Sequence, residues 1–229
     1  MNTKQEIKIA VDAIVFGYND KSLNVLLIKQ KFGLEKNNWV LPGGFVHNNE
    51  NLEQAVLREL KEETGILPNY IEQLYTFGNV VRDKRYRVVS VSYMCLINPK
   101  KFDIIPDTDA LEVSWFDIQN LPKLGYDHNQ IIDFAIERLR SKIKYMPIGL
   151  ELLEKKFPFS DLENLYTTIL DKNIDRRNFR KKFLNFNLLI ETKEYLFQNV
   201  GRPALLYKFD TKVYKQLLNE GFYFDFKFT

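Results

Sequence analysis

Three glutamates in the sequence have a spacing that could support chemistry. Glu59, Glu62 and Glu63 lie three and four residues apart within Leu52–Thr64, where apolar residues recur with helical spacing. Residues at these distances lie on one face of a helix, so the three carboxylates should share a face. Like charges repel one another unless a cation neutralises them, and oxygen ligands favour Mg²⁺ or Mn²⁺ over zinc. The spacing indicates a site for a hard divalent metal, with a solvated acidic helix face as the alternative.

The residues around this helix suit such a site. Arg58 can pair with one of the carboxylates and fix its orientation, and Glu50 can either add a ligand or hold Arg58. The Gly43-Gly44 pair allows the backbone to approach a ligand closely, and Gly65 is a natural helix end. We therefore predict a loop–helix–loop over 44–66 that holds a metal beside a phosphate or a sugar-like ligand.

The complete spacing resembles the signature of the Nudix family. Gly44 is followed after five residues by Glu50, and after seven more by Arg58 and the run that ends at Ile66. The resemblance implies an α/β/α sandwich in which Glu59, Glu62 and Glu63 occupy the metal-ligand positions and Arg58 and Glu50 support them. Family enzymes use a divalent metal, Mg²⁺ or Mn²⁺, to activate water and hydrolyse a nucleoside diphosphate linked to another group. His47 departs from the pattern, because many members have an acidic residue there.

A second stretch resembles ADP-ribose pyrophosphatases and their relatives. Gly78–Arg85 leads into Val88–Val91, and Tyr126-Asp127-His128 opens a later helix. Arg82 and Arg85 are expected to contact either phosphate or acidic side chains, and a surface ion pair is the alternative. Asp127 is a candidate helix N-cap. His128 is either a ligand contact or a surface histidine near the cap. The predicted effector or phosphate-binding residues are Gly43, Gly44, His47, Arg82, Arg85 and His128.

No general base is singled out by the sequence. Asp107, Asp109 and Glu112 lie in the loop region where some relatives carry one, and we do not choose among them.

Strand and helix patterns alternate in the first part of the chain, which favours an α/β layered domain. A turn is predicted at Gly17–Asp20, and a break in the pattern near 145 divides the chain into domains 1–145 and 146–229. The predicted strands are Ile7–Phe16, Leu23–Ile28, Ile71–Val81, Arg87–Ile97 and Leu111–Phe116, and the helices are Leu52–Thr64 and Asp127–Ile143.

The second part has the element order of a winged helix-turn-helix, which is three helices and then a hairpin. Ser160 and Glu163 match a capping box at the start of the second helix. The predicted helices are Leu150–Lys156, Ser160–Leu170 and Asp175–Phe186, and the strands are Leu188–Thr192 and Ala204–Phe209.

The third of these helices is basic and stands in the recognition position. Phe179, Phe183 and Phe186 are expected to form one narrow apolar face, with the cations on the opposite face. Arginines there would contact guanine edges or phosphates, and Asn178 would contact adenine. The hairpin loop from Lys193 to Arg202 would form a wing that reaches either phosphates or the minor groove. The predicted DNA-binding residues are Arg176, Arg177, Asn178, Arg180, Lys181, Lys193 and Arg202, with a solvated basic surface as the alternative.

The run Asp175–Lys182, followed by Gly201–Ala204 and Tyr207, resembles the winged-helix domain of the Nudix-related transcriptional regulators, the NrtR family. The resemblance implies a repressor of genes for NAD metabolism or for pentose and other sugar use. A small effector in the Nudix domain, such as ADP-ribose or a free sugar, would change its affinity for double-stranded DNA. Family members are typically homodimers on palindromic operators. The alternative function is a Mg²⁺-dependent Nudix hydrolase of ADP-ribose or a related nucleotide sugar.

Composition agrees with a soluble globular protein. The chain has 229 residues, of which 45% are hydrophobic and 28% charged, and its net charge is +3. Residues 145–229 hold 14 Lys and Arg against 11 Asp and Glu, so the positive excess lies in the second domain. Cys95 is the only cysteine and lies in an apolar run, so we expect it in the core. No apolar run approaches the roughly 18 residues of a membrane span. We predict a cytoplasmic protein whose aromatic tail Val213–Phe228 covers a core or a dimer contact.

Overall fold

The computed structural model describes residues 6–102, 104, 110–197 and 202–221. The chain forms two compact units, one of residues 1–19 and 23–138 and the other of residues 20–22 and 139–229. The domain limits predicted from the sequence stay predictions. No helix among the described residues is long and apolar enough to span a membrane.

A mixed sheet forms the centre of the first unit, with strand order β3-β2-β1-β6-β5, β4 beside β1 and β7 beside β2. β1 and β6 are parallel, in a register that runs from Ile7 opposite Arg87 to Gly17 opposite Ile97. The other strand pairs of this sheet are antiparallel. The strands are β1 (Ile7–Asn19), β2 (Ser22–Gln30), β3 (Trp39–Val40), β4 (Gly43–Phe45), β5 (Tyr70–Phe77), β6 (Arg87–Ile97) and β7 (Ala110–Asp117).

Helix α1 covers Leu52–Thr64, the range predicted from the sequence. Asn51 and Gln54 form a capping box at its start, and Gly65 ends it with φ 73°. Its apolar face contributes Ala55, Val56 and Leu60 to a fully buried cluster with strands of the sheet. Cys95 belongs to that cluster, which confirms its predicted place in the core.

Two local predictions in the first unit are wrong. β1 continues through Asn19, and the turn is made by Asp20 and Lys21 at φ 48° and 62°. Gly17 lies within the strand. Glycine suits this position because a side chain there would meet Pro99 at 2.6 Å and Trp115 at 2.8 Å. β5 ends at Phe77, so residues 78–86 form a loop rather than the end of a strand. Helix α2 (His128–Lys142) follows that part of the chain, close to its predicted bounds.

The second unit contains α3 (Phe159–Leu170), α4 (Arg176–Asn185) and α5 (Thr211–Asn219). Its sheet has the order β8-β10-β9, formed by Phe157–Pro158, Ala204–Phe209 and Leu189–Leu196. Five aromatic rings pack with one another in its core: those of Phe159, Tyr166, Phe179, Phe183 and Tyr207.

Two helix predictions fail in this unit. Only a single 3₁₀ turn, Leu150–Leu152, forms within the predicted helix Leu150–Lys156. Pro158 disfavours helical backbone in the residue before it, and Phe157 pairs with β10 instead. α3 begins at Phe159 with Pro158 as its N-cap and without a side-chain cap, so Ser160 and Glu163 do not form the predicted capping box. The tail beyond Gly221 lies outside the described residues.

Candidate functional site

A cavity of about 390 Å³ in the first unit gathers most of the predicted ligand-binding residues. β4, α1 and the loops before β6 and α2 all contribute to its wall. The predicted residues that line it are Gly43, Gly44, His47, Glu59, Glu63, Arg82, Arg85 and His128. Glu50, Arg58 and Glu62 are not among the lining residues.

Arg58 binds the acidic residues on and beside α1. Its Nε and Nη2 donate to the two carboxylate oxygens of Glu50 at 2.9 and 2.8 Å. Its Nη1 donates to Glu59 Oε1 at 2.8 Å and to Glu62 Oε2 at 3.1 Å. The hydrogen bonds from Arg58 lower the pKa of Glu50 to about 2. Arg58 and Glu50 therefore orient Glu59 from behind the cavity wall, the supporting place that the resemblance implies.

Glu59 fits against Gly44. A side chain at Gly44 would meet Glu59 Oε1 at 2.3 Å, so any larger residue there would displace this carboxylate from its position. Burial raises the pKa of Glu59, and the hydrogen bond from Arg58 opposes that rise.

Glu63 is buried, with 6% of its surface exposed, and its Oε2 accepts the backbone N–H of Gly43 at 2.8 Å. Gly43 has φ 154°, and a Cβ there would lie 2.1 Å from the carbonyl oxygen of Val11. The close backbone approach predicted for the two glycines is thus made to groups of the protein itself.

The three carboxylates of α1 are not gathered around one point. The side chain of Glu62 is 48% exposed, and Arg58 separates it from Glu59. Among the described residues, no group of three His, Cys, Asp or Glu side chains is arranged to hold a metal ion. The donor types nevertheless fit a hard cation, because all three are carboxylates and two of them line the cavity.

A buried polar network, not predicted from the sequence, forms another part of the wall. Asp12 accepts hydrogen bonds from Ser90 Oγ at 2.5 Å and from Arg82 Nη2 at 3.1 Å. His128 Nε2 lies 3.5 Å from its other oxygen. Burial would raise the pKa of Asp12, but His128, Arg82 and Ser90 together lower it to about 2. The signal for this site was an acidic residue inside an otherwise apolar strand, since a buried charge needs partners.

His128 is buried, with 4% of its surface exposed, so the surface alternative is wrong. Its Nδ1 accepts the backbone N–H of Leu41 at 2.8 Å. A nitrogen that accepts carries no proton, so the neutral ring holds its hydrogen on Nε2, towards Asp12.

The two predicted arginines each pair with an aspartate. Arg82 donates through Nε and Nη2 to both oxygens of Asp127, at 3.0 and 2.8 Å. Its side chain is only 5% exposed, which excludes the surface ion pair. The carboxylate of Asp127 therefore binds Arg82 rather than capping α2 as predicted. Arg85 pairs with Asp83 two residues earlier, at 2.8 and 3.1 Å.

The remaining predicted residues of this unit contribute less to the wall. The side chain of His47 is 59% exposed and lies 3.8 Å from Glu50. Glu112 lies 3.7 Å from Lys29, and Asp107 and Asp109 lie outside the described residues. Tyr126, which the sequence did not single out as a cavity residue, lines the cavity with φ 52°, an uncommon backbone conformation for a bulky residue.

α4 presents its predicted cations to solvent. The exposed residues are Arg176, Arg177, Asn178, Arg180 and Lys181. Asp175 caps the helix by accepting the N–H groups of Arg177 and Asn178. Phe179 and Phe183 are buried on the other side, as predicted.

Arg180 is exposed, but its side chain also contacts residues on the apolar side of α4. Its guanidinium lies 4.6 Å from the ring centre of Phe159 and donates to the hydroxyl of Tyr207 at 3.2 Å. The charge of Arg176 also affects Glu163 on α3. Burial raises the pKa of Glu163, while the positive charges of Arg176 and Arg180 oppose that rise. Both residues flank the apolar face because positions three residues apart lie only about 60° apart around a helix.

The predicted wing is shorter than expected. Lys193 has φ 61° and lies within β9, where the register with β10 shifts, rather than in the hairpin loop. β9 ends at Leu196 and β10 begins at Ala204. Lys193 and Arg202 are both exposed.

Known proteins resemble both units. Residues 7–134 match the family described as NUDIX domain, and residues 149–209 match the NrtR DNA-binding winged helix domain. The ADPR responsive transcriptional repressor NtrR of Acinetobacter baylyi is 33% identical over 211 residues, which are 90% of this chain and 83% of the relative. ADP-ribose pyrophosphatase of Methanocaldococcus jannaschii is 40% identical over 124 residues, 54% of this chain and 70% of the relative.

Solved structures of related proteins also resemble this chain. Shewanella oneidensis NrtR in complex with a 27mer DNA superposes with a TM-score of 0.80 at 36% identity, over 90% of this chain and 95% of the other. The NUDIX domain of the same protein in complex with ADP ribose has a TM-score of 0.54 at 38% identity, over 59% of this chain and 90% of the other. The predicted fold class, an N-terminal α/β domain followed by a winged helix-turn-helix, is confirmed.

Proposed function

Since this chain belongs to the NrtR family of Nudix-related transcriptional regulators, we propose that it is a repressor whose affinity for operator DNA changes when its Nudix unit binds ADP-ribose. The observation that carries the proposal is a cationic helix face, exposed to solvent, in the same chain as a cavity lined by Nudix-motif residues. The cavity supplies ligand recognition, and the helix supplies DNA recognition.

Exposure of Arg177, Asn178 and Lys181 supports the DNA-binding part. Guanidinium and carboxamide groups hydrogen-bond guanine and adenine edges in the major groove, and lysines bind phosphates. Lys193 and Arg202 would reach the backbone from the hairpin. We propose that the protein acts as a homodimer on a palindromic operator, because a two-fold protein matches two-fold DNA.

The cavity favours a diphosphate over a free sugar as the effector. Arg82 and Arg85 offer guanidinium groups, which bind phosphate through two hydrogen bonds at once, and a free pentose has no phosphate. The relatives that bind or respond to ADP-ribose support this choice. Genes of NAD metabolism are therefore the proposed targets, in preference to genes of pentose use.

Acidic residues outnumber basic ones in the wall, where Asp12, Glu59, Glu63 and Asp83 face Arg82 and Arg85. A bound Mg²⁺ or Mn²⁺ would neutralise charge between these carboxylates and the diphosphate. Glu59, Glu62 and Glu63 would hold it, with Arg58 giving up its contacts to the first two. We therefore expect ADP-ribose to bind more tightly when Mg²⁺ is present.

The test is a selection of DNA sites from a random library by the full-length chain, followed by titration of the selected site. A palindromic site whose affinity changes on addition of ADP-ribose, but not of free ribose or arabinose, is the expected result. Failure to enrich any sequence would contradict the DNA-binding part. A selected site that ignores ADP-ribose would contradict the effector.

A second candidate function is hydrolysis of ADP-ribose. The observation in its favour is the complete Nudix set, in which Arg58 and Glu50 already orient Glu59. A bound metal would activate the attacking water, and the carboxylates of α1 would hold that metal. Mg²⁺-dependent cleavage should then collapse in Glu62→Gln but persist in Glu53→Gln on the same helix. Absence of cleavage in the native chain would leave ligand binding as the role of the site.

A further inference from the structure

Arg82 and Arg85 line the same cavity, and their aspartate partners differ in what they connect. Arg85 and Asp83 belong to the same loop, two residues apart. Arg82 and Asp127 are 45 residues apart, and Asp127 directly precedes α2. Only the second pair joins the ligand cavity to another element of the fold.

The Arg82–Asp127 pair is held in an environment with little solvent. The side chains of Arg82 and Asp127 are 5% and 12% exposed, and Asp12 binds the same guanidinium from β1. The side-chain hydrogen bonds of Arg82 use Nε and Nη2, and among the described residues its Nη1 donors make none. A guanidinium offers five N–H donors, and two of these stay available to a ligand.

Asp127 also fixes the first turn of α2. Its backbone carbonyl accepts the N–H of Ile131 at 3.2 Å while its carboxylate binds Arg82. α2 runs from His128 to Lys142, and the division between the two units of the chain falls after Arg138. The helix that follows Asp127 is therefore the segment of the chain that leads from the ligand-binding unit into the winged helix unit.

We propose that the Arg82–Asp127 ion pair is the switch of this regulator: an anionic group of the effector draws Arg82 away from Asp127 and thereby frees the start of α2. The proposal rests on the proposed function and adds the element through which ligand occupancy acts. Phosphate binds a guanidinium as strongly as a carboxylate does, so the exchange of partners has a small net cost. The ligand can shift DNA affinity only by the difference between its affinities for the paired and separated states.

The Arg85–Asp83 pair provides a matched control. It lies in the same wall and has the same chemistry, but it holds no second element. If ligand acts by general changes in the charge of the cavity, both pairs should matter equally. If it acts by releasing α2, only the Arg82–Asp127 pair should matter.

The experiment compares native protein, Asp127→Asn and Asp83→Asn as full-length chains on the selected DNA site, with and without saturating ADP-ribose. In native protein we expect the DNA dissociation constant to change by roughly 5–150-fold, a typical coupling between sites. In Asp127→Asn the ligand-free dissociation constant should already resemble the liganded native value, and the remaining response should fall below about twofold. Asp83→Asn should keep its response, because saturating ligand overcomes any loss of affinity.

A full response in Asp127→Asn, with native protein responding normally, would overturn the switch and leave the proposed function intact. No response in native protein would overturn the proposed function, and the switch with it. Hydrogen exchange of the unmutated chain provides a reading that needs no variant to fold. Saturating ADP-ribose should speed exchange of the Ile131 amide relative to amides of α1. Unchanged or slower exchange at Ile131 would also overturn the switch.

Discussion

Helices α1 and α4 differ in whether their charged side chains have partners within the protein. The carboxylates of α1 meet partners within their own unit, since Arg58 binds Glu59 and Glu62, and Gly43 donates to Glu63. On α4, Arg177 and Lys181 are exposed. A charge that the fold has already paired gives an accurate position, whereas an exposed cation gives long-range attraction to a polyanion. The first unit, the proposed ligand unit, therefore fixes its charges by pairing, whereas the second, the proposed DNA unit, exposes the cations of α4 to solvent.

The comparison predicts that removing a charge has different consequences in the two units. On α4 the loss should weaken DNA binding and leave folding unchanged. In the ligand unit the loss should alter stability, because a paired group is left behind.

The largest expected loss of stability comes from removing a buried ring that packs beneath the exposed face of α4. Phe183 is fully buried and packs against Phe159, Tyr166 and Phe179. Phe183→Ala should lower the free energy of unfolding of the second unit by about 3–5 kcal/mol, the usual cost of a large cavity. Both tryptophans, Trp39 and Trp115, belong to the first unit, so urea unfolding followed by fluorescence and by circular dichroism separates the units.

DNA binding should disappear in Phe183→Ala while ADP-ribose binding persists. Leu218→Ala, at a partly exposed position of α5, serves as the control and should change stability by less than about 0.5 kcal/mol. An equal loss in the tryptophan transition would show that the units do not unfold separately.

The next effect concerns the exposed face itself. Arg177→Ala and Lys181→Ala should each weaken operator binding by about 1–3 kcal/mol where they contact a base, or reduce the salt slope by about one where they contact phosphate. Their unfolding curves should match those of the native protein. Binding measured by fluorescence anisotropy at several salt concentrations separates the two cases, with Lys215→Ala on α5 as the control. Unchanged affinity at moderate salt would remove α4 from the DNA interface.

The buried network of the ligand unit should respond to pH. The folded pKa of Asp12 is lowered from 3.8 to about 2, because His128, Arg82 and Ser90 outweigh burial. A lowered pKa stabilises the fold above the unfolded value, so this contribution is present above about pH 4 and is lost as pH falls towards 2. Tryptophan-monitored unfolding should show a loss of about 2 kcal/mol over that range.

Asp12→Asn should flatten this part of the pH profile, while Asp133→Asn on the exposed side of α2 should leave it in place. Glu50, whose pKa also lies near 2, contributes a slope that remains in both variants. A native-like profile in Asp12→Asn would assign the whole acid transition to other carboxylates.

The smallest expected change in stability concerns Arg180, a cation of α4 that has partners within the protein. Arg180 belongs to α4 but stacks on Phe159 and bonds Tyr207, so it behaves like the paired charges of the ligand unit. Arg180→Lys keeps the charge and removes the planar contact, and should destabilise the second unit by about 0.5–1 kcal/mol. Arg177→Lys is the matched control and should not. Equal stability of the two variants would show that the contacts of Arg180 with Phe159 and Tyr207 add no stability.

Sequence alone predicted the parts of the fold that depend on local signals. The predicted ends of α1 agree with the structure because both signals, the apolar spacing and Gly65, lie within the segment itself. The buried pairing of Asp12 with Arg82 and His128 was not predicted, because it joins residues 70 and 116 positions apart. No periodicity within a segment carries that information.

In the second unit, too, the features that were not predicted depend on contacts between distant segments. A capping-box pattern was present at Ser160, but Pro158 and the burial of Phe159 start α3 one residue earlier. The contacts of Arg180 were not predicted because its partners, Phe159 and Tyr207, come from other elements. The identity of charged residues was readable from the sequence, whereas their partners were set by the tertiary structure.

The parallel pairing of β1 with β6 also has a consequence for synthesis of the chain. Every partner pair in this register is 80 residues apart, whereas β9 and β10 pair across a single hairpin. Contacts between distant residues slow folding, because a long loop must close before the contact forms. On the ribosome, the apolar strand β1 must wait for residues 87–97 before it gains this neighbour. A chain stopped before Arg87 should aggregate, and the ligand unit should be the one that needs chaperones.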